Sequence, residues 1–123
     1  MLVIRREQID TFVRAAVDEF VARTVARFTA RDPDGVARRG SDTVEPLVRE
    51  AIARADVLGL ERPIDVARYV TLAYLLGVGF EDDPRYAWAR TALDDERVPR
   101  QSRMAVVCAH AEHELGAALA RLG

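Results

Sequence analysis

Residues 63–88 read PIDVARYVTLAYLLGVGFEDDPRYAW, and this stretch decides the class of fold. Pro63 suits the first position of a helix, where its missing N–H would have no partner within the helix. After Arg68, apolar side chains cover nearly the whole helical circumference up to Leu76. A helix that is apolar nearly all round is usually a central one. We therefore expect this helix to be the most buried element, ended by Gly77 and Gly79.

The segment that leaves this helix predicts the start of another. Asp83 is suited to cap a helix because the residue before a proline is kept out of the helical conformation. Pro84 then fits the first helical position, and the helix is expected to run to about Leu93. Glu81 and Asp82 are expected to favour the positive end of its dipole. Phe80 is expected to pin the connection to the core.

The chain before this stretch has the apolar periodicity of two further helices. The first runs from about Arg6 to Ala30, and its terminal sequence 32–35, DPDG, predicts a turn followed by a polar connection over residues 36–42. Asp42 and Glu45 are interpreted as a capping box that begins the second helix. The stripe expected along the first helix comprises Ile9, Phe12, Val13, Ala16, Val17, Phe20, Val25 and Phe28.

The C-terminal segment predicts a last helix that Pro99 opens. Ser41 and Ser102 both lie at expected helix starts, where capping is their simplest role. The apolar stripe of this last helix comprises Met104, Val107, Cys108, Ala111, Leu115, Ala118, Leu119 and Leu122. The sequence thus predicts an all-α fold: a compact bundle of about five helices, four substantial and one short, forming one domain over residues 1–123.

Composition argues against nucleic-acid and membrane partners. The formal net charge of the 123 residues is -2, and half of them are hydrophobic. The basic residues that end the first helix complement its dipole; they are Arg23, Arg27, Arg31, Arg38 and Arg39. The longest uncharged run, residues 69–80, is shorter than the roughly 20 residues that cross a bilayer. Cys108 is the only cysteine, which fits a reducing compartment, so a cytoplasmic location is expected.

The one cluster that resembles a metal site lies on the last helix. His110, His113 and Glu114 are close in sequence, and they define an alternative function as a small metal-binding protein or enzyme. Bundle metal sites draw three or four ligands from several helices, and no other helix offers a histidine. Cys108 lies about 200° round the helix from His110, so these two cannot form a nucleophile and base. We therefore expect no enzyme activity, metal or cofactor.

Surface recognition remains, and the aromatic residues after the central helix are its candidates. Tyr86 and Trp88 are two residues apart, which on a helix means about 200° of rotation. One of them is expected to be buried and the other to face outward. Aromatic and arginine side chains are enriched at interface hot spots. The candidate partner-binding residues are Phe80, Arg85, Tyr86, Trp88 and Arg90, unless the aromatic rings simply fill the core.

Separated patches of the chain resemble a family of small helical bacterial proteins associated with type VI secretion gene clusters, near spike, PAAR-tip and effector genes. The most specific patch has the pattern LGxxFxxDPxxxWA, carried by Leu76-Gly77, Phe80, Asp83-Pro84 and Trp88-Ala89. The other patches are Ile4-Arg5 with Glu7-Gln8 and Phe12, and Gly59 followed by Asp65-Val66. Residues 31–43 and the last helix beyond Met104 match poorly.

The resemblance implies an accessory role and supplies no catalytic residues. The leading hypothesis is a non-enzymatic protein-binding module, an adaptor or chaperone for a secreted effector or spike component. An immunity protein that neutralises a toxin is the alternative within the same class. A homo-oligomer that pairs through the exposed side of the short helix or through the apolar central helix is a further alternative.

Overall fold

The computed structural model describes residues 6–123 of the chain, with the side chains at positions 6, 7 and 9 left aside. This part of the chain contains six α-helices and no strand, so the all-α class is confirmed, with one helix more than expected. Short 3-10 turns at Phe80–Asp82, Pro84–Tyr86 and Arg100–Ser102 join some of them. The helices are α1 (Arg6–Arg31), α2 (Pro33–Arg39), α3 (Ser41–Val57), α4 (Pro63–Leu76), α5 (Ala87–Leu93) and α6 (Arg103–Leu122).

Helix α4 is the centre of the bundle, as the sequence predicts. It packs between α3 and α6, while α1 lies against α3 and α5 lies against α6. It has more buried residues than any other helix in the described part of the chain. Tyr69, Val70, Leu72 and Ala73 are fully inaccessible to solvent. Pro63 occupies the beginning of α4, also as predicted.

The chain leaves α4 in the way that its glycines predict. Gly77 and Gly79 have φ values of 104° and 83°, which residues with a Cβ atom rarely adopt. Phe80 is 2% exposed, and its ring stacks on that of Tyr69 at a centroid distance of 5.2 Å. The Asp83 carboxylate accepts a hydrogen bond from the Arg85 N–H at 2.9 Å, so Asp83 is a cap, as predicted. It caps the 3-10 turn Pro84–Tyr86, however, and the helix that we expected from Pro84 begins only at Ala87.

The two acids before Asp83 have a different role from the one expected. The Glu81 side chain is buried, accepts a hydrogen bond from the Tyr69 hydroxyl at 2.8 Å, and pairs with Arg54 of α3. Asp82 pairs with Arg54 at 2.8 Å and also with Arg90. The prediction that Glu81 and Asp82 serve mainly the dipole of the next helix is therefore wrong. A buried carboxylate needs a counter-ion, and Arg54 supplies one from a distant part of the chain.

The predicted turn and polar connection after α1 is instead a helix, α2. Pro33 stands at its beginning, where its fixed φ is already helical. Val36 is buried, and its N–H donates to the Asp32 carbonyl at 3.0 Å. The Asp32 carboxylate accepts a hydrogen bond from the Tyr74 hydroxyl at 2.9 Å, and Arg39 donates to the Tyr74 carbonyl at 3.0 Å. These contacts fasten α2 to α4, which its local sequence does not reveal.

The predicted side-chain caps of α3 and α6 are also wrong. Helix α3 begins at Ser41 after Gly40, whose φ is 92°, and no side chain caps it. The Thr43 hydroxyl donates to the Gly40 carbonyl at 2.7 Å, while Asp42 lies inside the helix and forms no capping box with Glu45. Ser102 occupies the cap position of α6 without accepting a backbone hydrogen bond. A backbone turn precedes both α3 and α6, and neither helix has the side-chain cap that we predicted.

The apolar stripe of α1 packs only along its second half. Phe28 is fully buried and Val21 is 2% exposed, whereas Phe12 is 75% and Val13 is 52% exposed. The first turns of α1 therefore extend beyond the helices that cover its later turns. The prediction of one apolar stripe along the helix is wrong for the packing of these first turns. The side chain of Ile9, and residues 4 and 5 of the family resemblance, lie outside the described residues.

Helix α6 contains a break that its apolar pattern does not predict. Leu115 has φ -128° and ψ 21°, outside the helical range, so α6 consists of two helical segments. Gly116 follows directly, and nothing lies within 4 Å of where its Cβ would be. Leu122, near the end of the second segment, is 1% exposed. The last turns of α6 therefore change direction at Leu115 but remain packed on the bundle.

Replacing Arg54 by alanine tests the role of the buried ion pair. We expect the free energy of unfolding to fall by about 2 kcal/mol, because Glu81 would stay buried without its counter-ion. Arg49→Ala is the matched control on α3, since Arg49 pairs with Asp18 and Glu45 at the surface, and it should cause no measurable loss. Urea denaturation monitored by circular dichroism measures both. Equal losses in the two variants would contradict this assignment.

Candidate binding groove and aromatic surface

The aromatic residues that the sequence singled out form a surface cluster with one histidine. We call Tyr86, Trp88 and His110 the aromatic surface. The Trp88 ring stacks on the His110 ring at 5.7 Å with an interplanar angle of 9°, and Tyr86 meets Trp88 edge-on at 6.2 Å. Both Tyr86 and Trp88 are half-buried against the core. The rings are therefore held in place by one another while part of each remains accessible.

The prediction that one of Tyr86 and Trp88 is buried and the other faces outward is wrong. It assumed that both residues lie on one regular helix, where they would be about 200° apart. Tyr86 instead ends a 3-10 turn with φ -120° and ψ 40°, and α5 begins only at Ala87. This backbone change allows both rings to pack on the same edge of the bundle.

The remaining candidate partner-binding residues differ in accessibility. Phe80 is in the core, so it supports the aromatic surface and does not form part of it. The Arg85 side chain is 74% exposed, pairs with Asp83 at 2.8 Å, and lies over the Tyr86 ring at 5.4 Å. Arg90 pairs with Asp82 and Asp94. The charges of both arginines are already matched by carboxylates of this chain.

The cluster on α6 does not converge into a metal site. His110, His113 and Glu114 are all exposed, and His110 stacks on Trp88. Among the described residues, no three His, Cys, Asp or Glu side chains are grouped so that they could hold a metal ion. Cys108 lies on another side of α6, where burial raises the pKa of its thiol to about 11. A thiol with that pKa is a poor nucleophile at neutral pH.

A groove of about 790 Å³ lies between α4 and α6, and we call it the α4–α6 groove. Its α4 side consists of Ile64, Ala67, Arg68 and Thr71, which recur at steps of three and four residues. Arg27 of α1 closes one part of it, and Glu112 is its only acidic lining residue. The α6 side consists mainly of small or apolar residues: Ala105, Cys108, Ala109, Gly116, Leu119 and Ala120.

Arg27 is the unusual residue of the α4–α6 groove. Its guanidinium donates one hydrogen bond, to the Thr71 hydroxyl at 3.1 Å, and lies 5.3 Å from the Phe28 ring. Its Nε atom is buried without an acceptor, and within residues 6–123 no carboxylate pairs with it. Burial, and then the like charge of Arg31, lowers the pKa of Arg27. The groove therefore contains a cation whose charge no carboxylate in the described part of the chain matches.

The second arginine of the groove shares its counter-ion. Asp65 is 3% exposed and pairs with Arg62 at 2.9 Å and with Arg68 at 3.2 Å. One carboxylate thus faces two guanidinium groups, so this cluster keeps a net positive charge. The charged residues in the described lining of the groove are Arg27, Arg68 and Glu112, so the lining carries a net charge of +1 at an otherwise apolar surface.

The five arginines that the sequence grouped at the end of α1 and in α2 have different surroundings. Arg39 is fixed by hydrogen bonds to the Gly35 and Tyr74 carbonyls and stacks over the Tyr74 ring at 4.2 Å. Arg27 points into the groove, whereas Arg23, Arg31 and Arg38 are exposed. Arg27 and Arg39 therefore do not share the exposed surroundings of the other three arginines.

No protein-family model matches the chain, and neither curated proteins nor solved structures show a detectable similarity to it. None of the helices over residues 6–123 is both long enough and apolar enough to span a bilayer.

Alkylation of Cys108 should show the effect of its burial. A pKa near 11 in place of 9.0 lowers the thiolate population at neutral pH about 100-fold. Because the thiol stays protonated below about pH 11, the iodoacetamide rate of the folded protein should keep rising about tenfold per pH unit from pH 7 to 10. In the urea-unfolded chain, the alkylation rate should stop rising with pH near the ordinary pKa of a cysteine thiol. A plateau below pH 9 in the folded protein would contradict this.

Replacing Arg27 by methionine tests whether Arg27 contributes to the fold. We expect the free energy of unfolding to stay constant or to rise by up to about 1 kcal/mol, because a desolvated donor without an acceptor is removed. Arg39→Met is the control, and it should lose about 1–2 kcal/mol since Arg39 donates to two carbonyl groups. Urea denaturation measures both variants. A loss above about 1 kcal/mol for Arg27→Met would identify it as a structural anchor.

Proposed function

We propose that this protein is a non-enzymatic protein-binding module. The observation that carries the proposal is the α4–α6 groove, an apolar concavity that contains the unmatched charge of Arg27. Stability alone gives little reason to keep this charge, because the buried Nε–H of Arg27 lacks an acceptor and the guanidinium lacks a carboxylate partner among the described residues. A bound partner whose carboxylate matches the charge of the guanidinium gives such a reason.

The aromatic surface supports the same class of function. Tyr86 and Trp88 are held by ring contacts, so little conformational entropy would be lost when a partner covers them. Tryptophan, tyrosine and arginine are the residues most enriched at interface hot spots. Because Arg85 and Arg90 are already paired with carboxylates, the contribution of this surface would come mainly from its rings.

The biological role that we propose is that of an accessory protein in type VI secretion, acting as adaptor or chaperone for an effector or spike component in the cytoplasm. This part of the proposal rests on the sequence resemblance alone. An immunity protein would use the same kind of surface, and neighbouring genes distinguish the two. A toxin gene beside this one favours immunity, whereas an effector gene beside a spike gene favours an adaptor.

Affinity purification from the native host tests the proposal. The wild-type chain should recover a protein partner in stoichiometric amount. Trp88→Ala alters the aromatic surface, and Ala109→Trp fills the α4–α6 groove at an exposed position. We expect at least one of these variants to reduce recovery about tenfold or more, as truncation of a hot-spot residue does.

The control for this experiment is Glu50→Ala, at an exposed position on α3 outside both surfaces, which should leave recovery unchanged. Thermal unfolding of each variant verifies that it is folded. A wild-type chain that recovers no partner, or a partner that both Trp88→Ala and Ala109→Trp retain fully, would contradict the proposal.

A further inference from the structure

We infer that the α4–α6 groove receives an amphipathic helix of a protein partner and that a carboxylate on this helix pairs with Arg27. The inference rests on the proposed function and specifies the chemistry of the partner at one site. Three features of the groove support it: its shape, its lining and its charge.

The shape of the groove fits a helix. It is bounded mainly by two helices that pack against each other, and α4 is also covered by α3 and α6 by α5. A helix laid between α4 and α6 would therefore complete the layer around them. Amphipathic helices commonly bind in this way, with their apolar side in a groove between helices.

The lining lets a helix approach closely. Ala105, Ala109, Gly116 and Ala120 follow one side of α6, and Ala67 faces them from α4. Side chains of this size leave room for the larger side chains of an incoming helix, which pack as ridges into grooves at axis distances of about 8–10 Å. Ile64 is 53% exposed at the groove, so apolar surface is available for burial.

The charge selects an acidic partner. Arg27 has an unmatched positive charge and a buried donor without an acceptor, and the Arg62, Asp65 and Arg68 cluster adds positive charge nearby. A carboxylate is the protein group that matches a guanidinium in charge and in hydrogen-bond geometry. The pair would form in a partly desolvated place, where charged hydrogen bonds contribute most. A nucleic acid fits poorly, because its row of phosphates needs several cations, whereas the described lining offers Arg27 and Arg68 beside Glu112. One carboxylate of a partner needs only Arg27.

The first step of the test is site-specific photo-crosslinking in the native host. A benzoylphenylalanine residue replaces Ala109 in the groove or, separately, Arg85 beside the aromatic surface. We expect position 109 to crosslink to a partner segment that forms an amphipathic helix and contains an aspartate or glutamate. Adducts with a second copy of this chain or with a lipid-sized molecule at position 109 would overturn the inference.

The second step measures binding of the crosslinked segment as a synthetic peptide. Arg27→Gln should weaken binding about tenfold or more, the effect of losing a charged hydrogen bond. Arg23→Gln is the matched control, because it removes the same charge four residues earlier on α1 and outside the groove, and it should leave affinity unchanged. Replacing the acidic residue of the peptide by its amide should weaken binding to the wild type but not weaken it further in Arg27→Gln.

The outcomes separate the inference from the proposed function. Adducts at position 85 without adducts at position 109 would leave a protein-binding module but overturn the groove as its site. A peptide that binds Arg27→Gln and the wild type equally would overturn the pairing with Arg27. Absence of protein adducts at both positions would overturn the inference and the proposed function together. Circular dichroism of Arg27→Gln verifies that its fold is intact.

Discussion

The buried carboxylate of Glu81 is the constraint on which the rest of the bundle depends. It lies between the Tyr69 hydroxyl of α4 and the Arg54 guanidinium of α3, and Tyr69 in turn accepts the Gly79 N–H at 3.1 Å. Three segments that are distant in sequence therefore meet at one ionised group. Because a buried carboxylate is tolerated only with its partners in place, the exit from α4 has one favoured course. That course positions α5, on which the aromatic surface is built, against α6.

Features of the fold that depend on neighbouring residues were predictable from the sequence. The central position of α4, the glycines that end it and the Asp83 cap follow from apolar periodicity and from backbone preferences that act over a few residues. Helix α2 was missed because what holds it comes from elsewhere: Tyr74 of α4 contacts both Asp32 and Arg39. The apolar stripe of α1 is continuous in sequence, but only the assembled bundle decides how much of it is covered. Sequence patterns that act over a few residues therefore predicted most of the helices. They did not predict the connections that long-range contacts stabilise.

For the candidate sites too, the sequence predicted what depends on neighbouring residues and missed what depends on long-range contacts. The sequence drew attention to Tyr86 and Trp88 by composition, but their common edge of the bundle depends on a 3-10 turn that the assumption of a regular helix excluded. The α4–α6 groove had little sequence signal, because Arg27 and Thr71 are 44 residues apart and each is ordinary in its own helix. The one signal available was the run of small residues on α6, which the apolar stripe beside it obscured. An unmatched charge becomes visible only when all neighbours of a residue are known.

The break at Leu115 has a consequence for how the groove adapts. Ala105 and Ala109 belong to the segment of α6 before the break, whereas Leu119 and Ala120 belong to the segment after it. The α6 side of the groove therefore consists of two helical segments that meet at Leu115, which is non-helical and is followed by Gly116. Small backbone rotations at Leu115 would change the angle between the two segments while each of them stays helical. For the partner helix that we propose as occupant, such a change would adjust the width of the groove, which one unbroken helix would not permit.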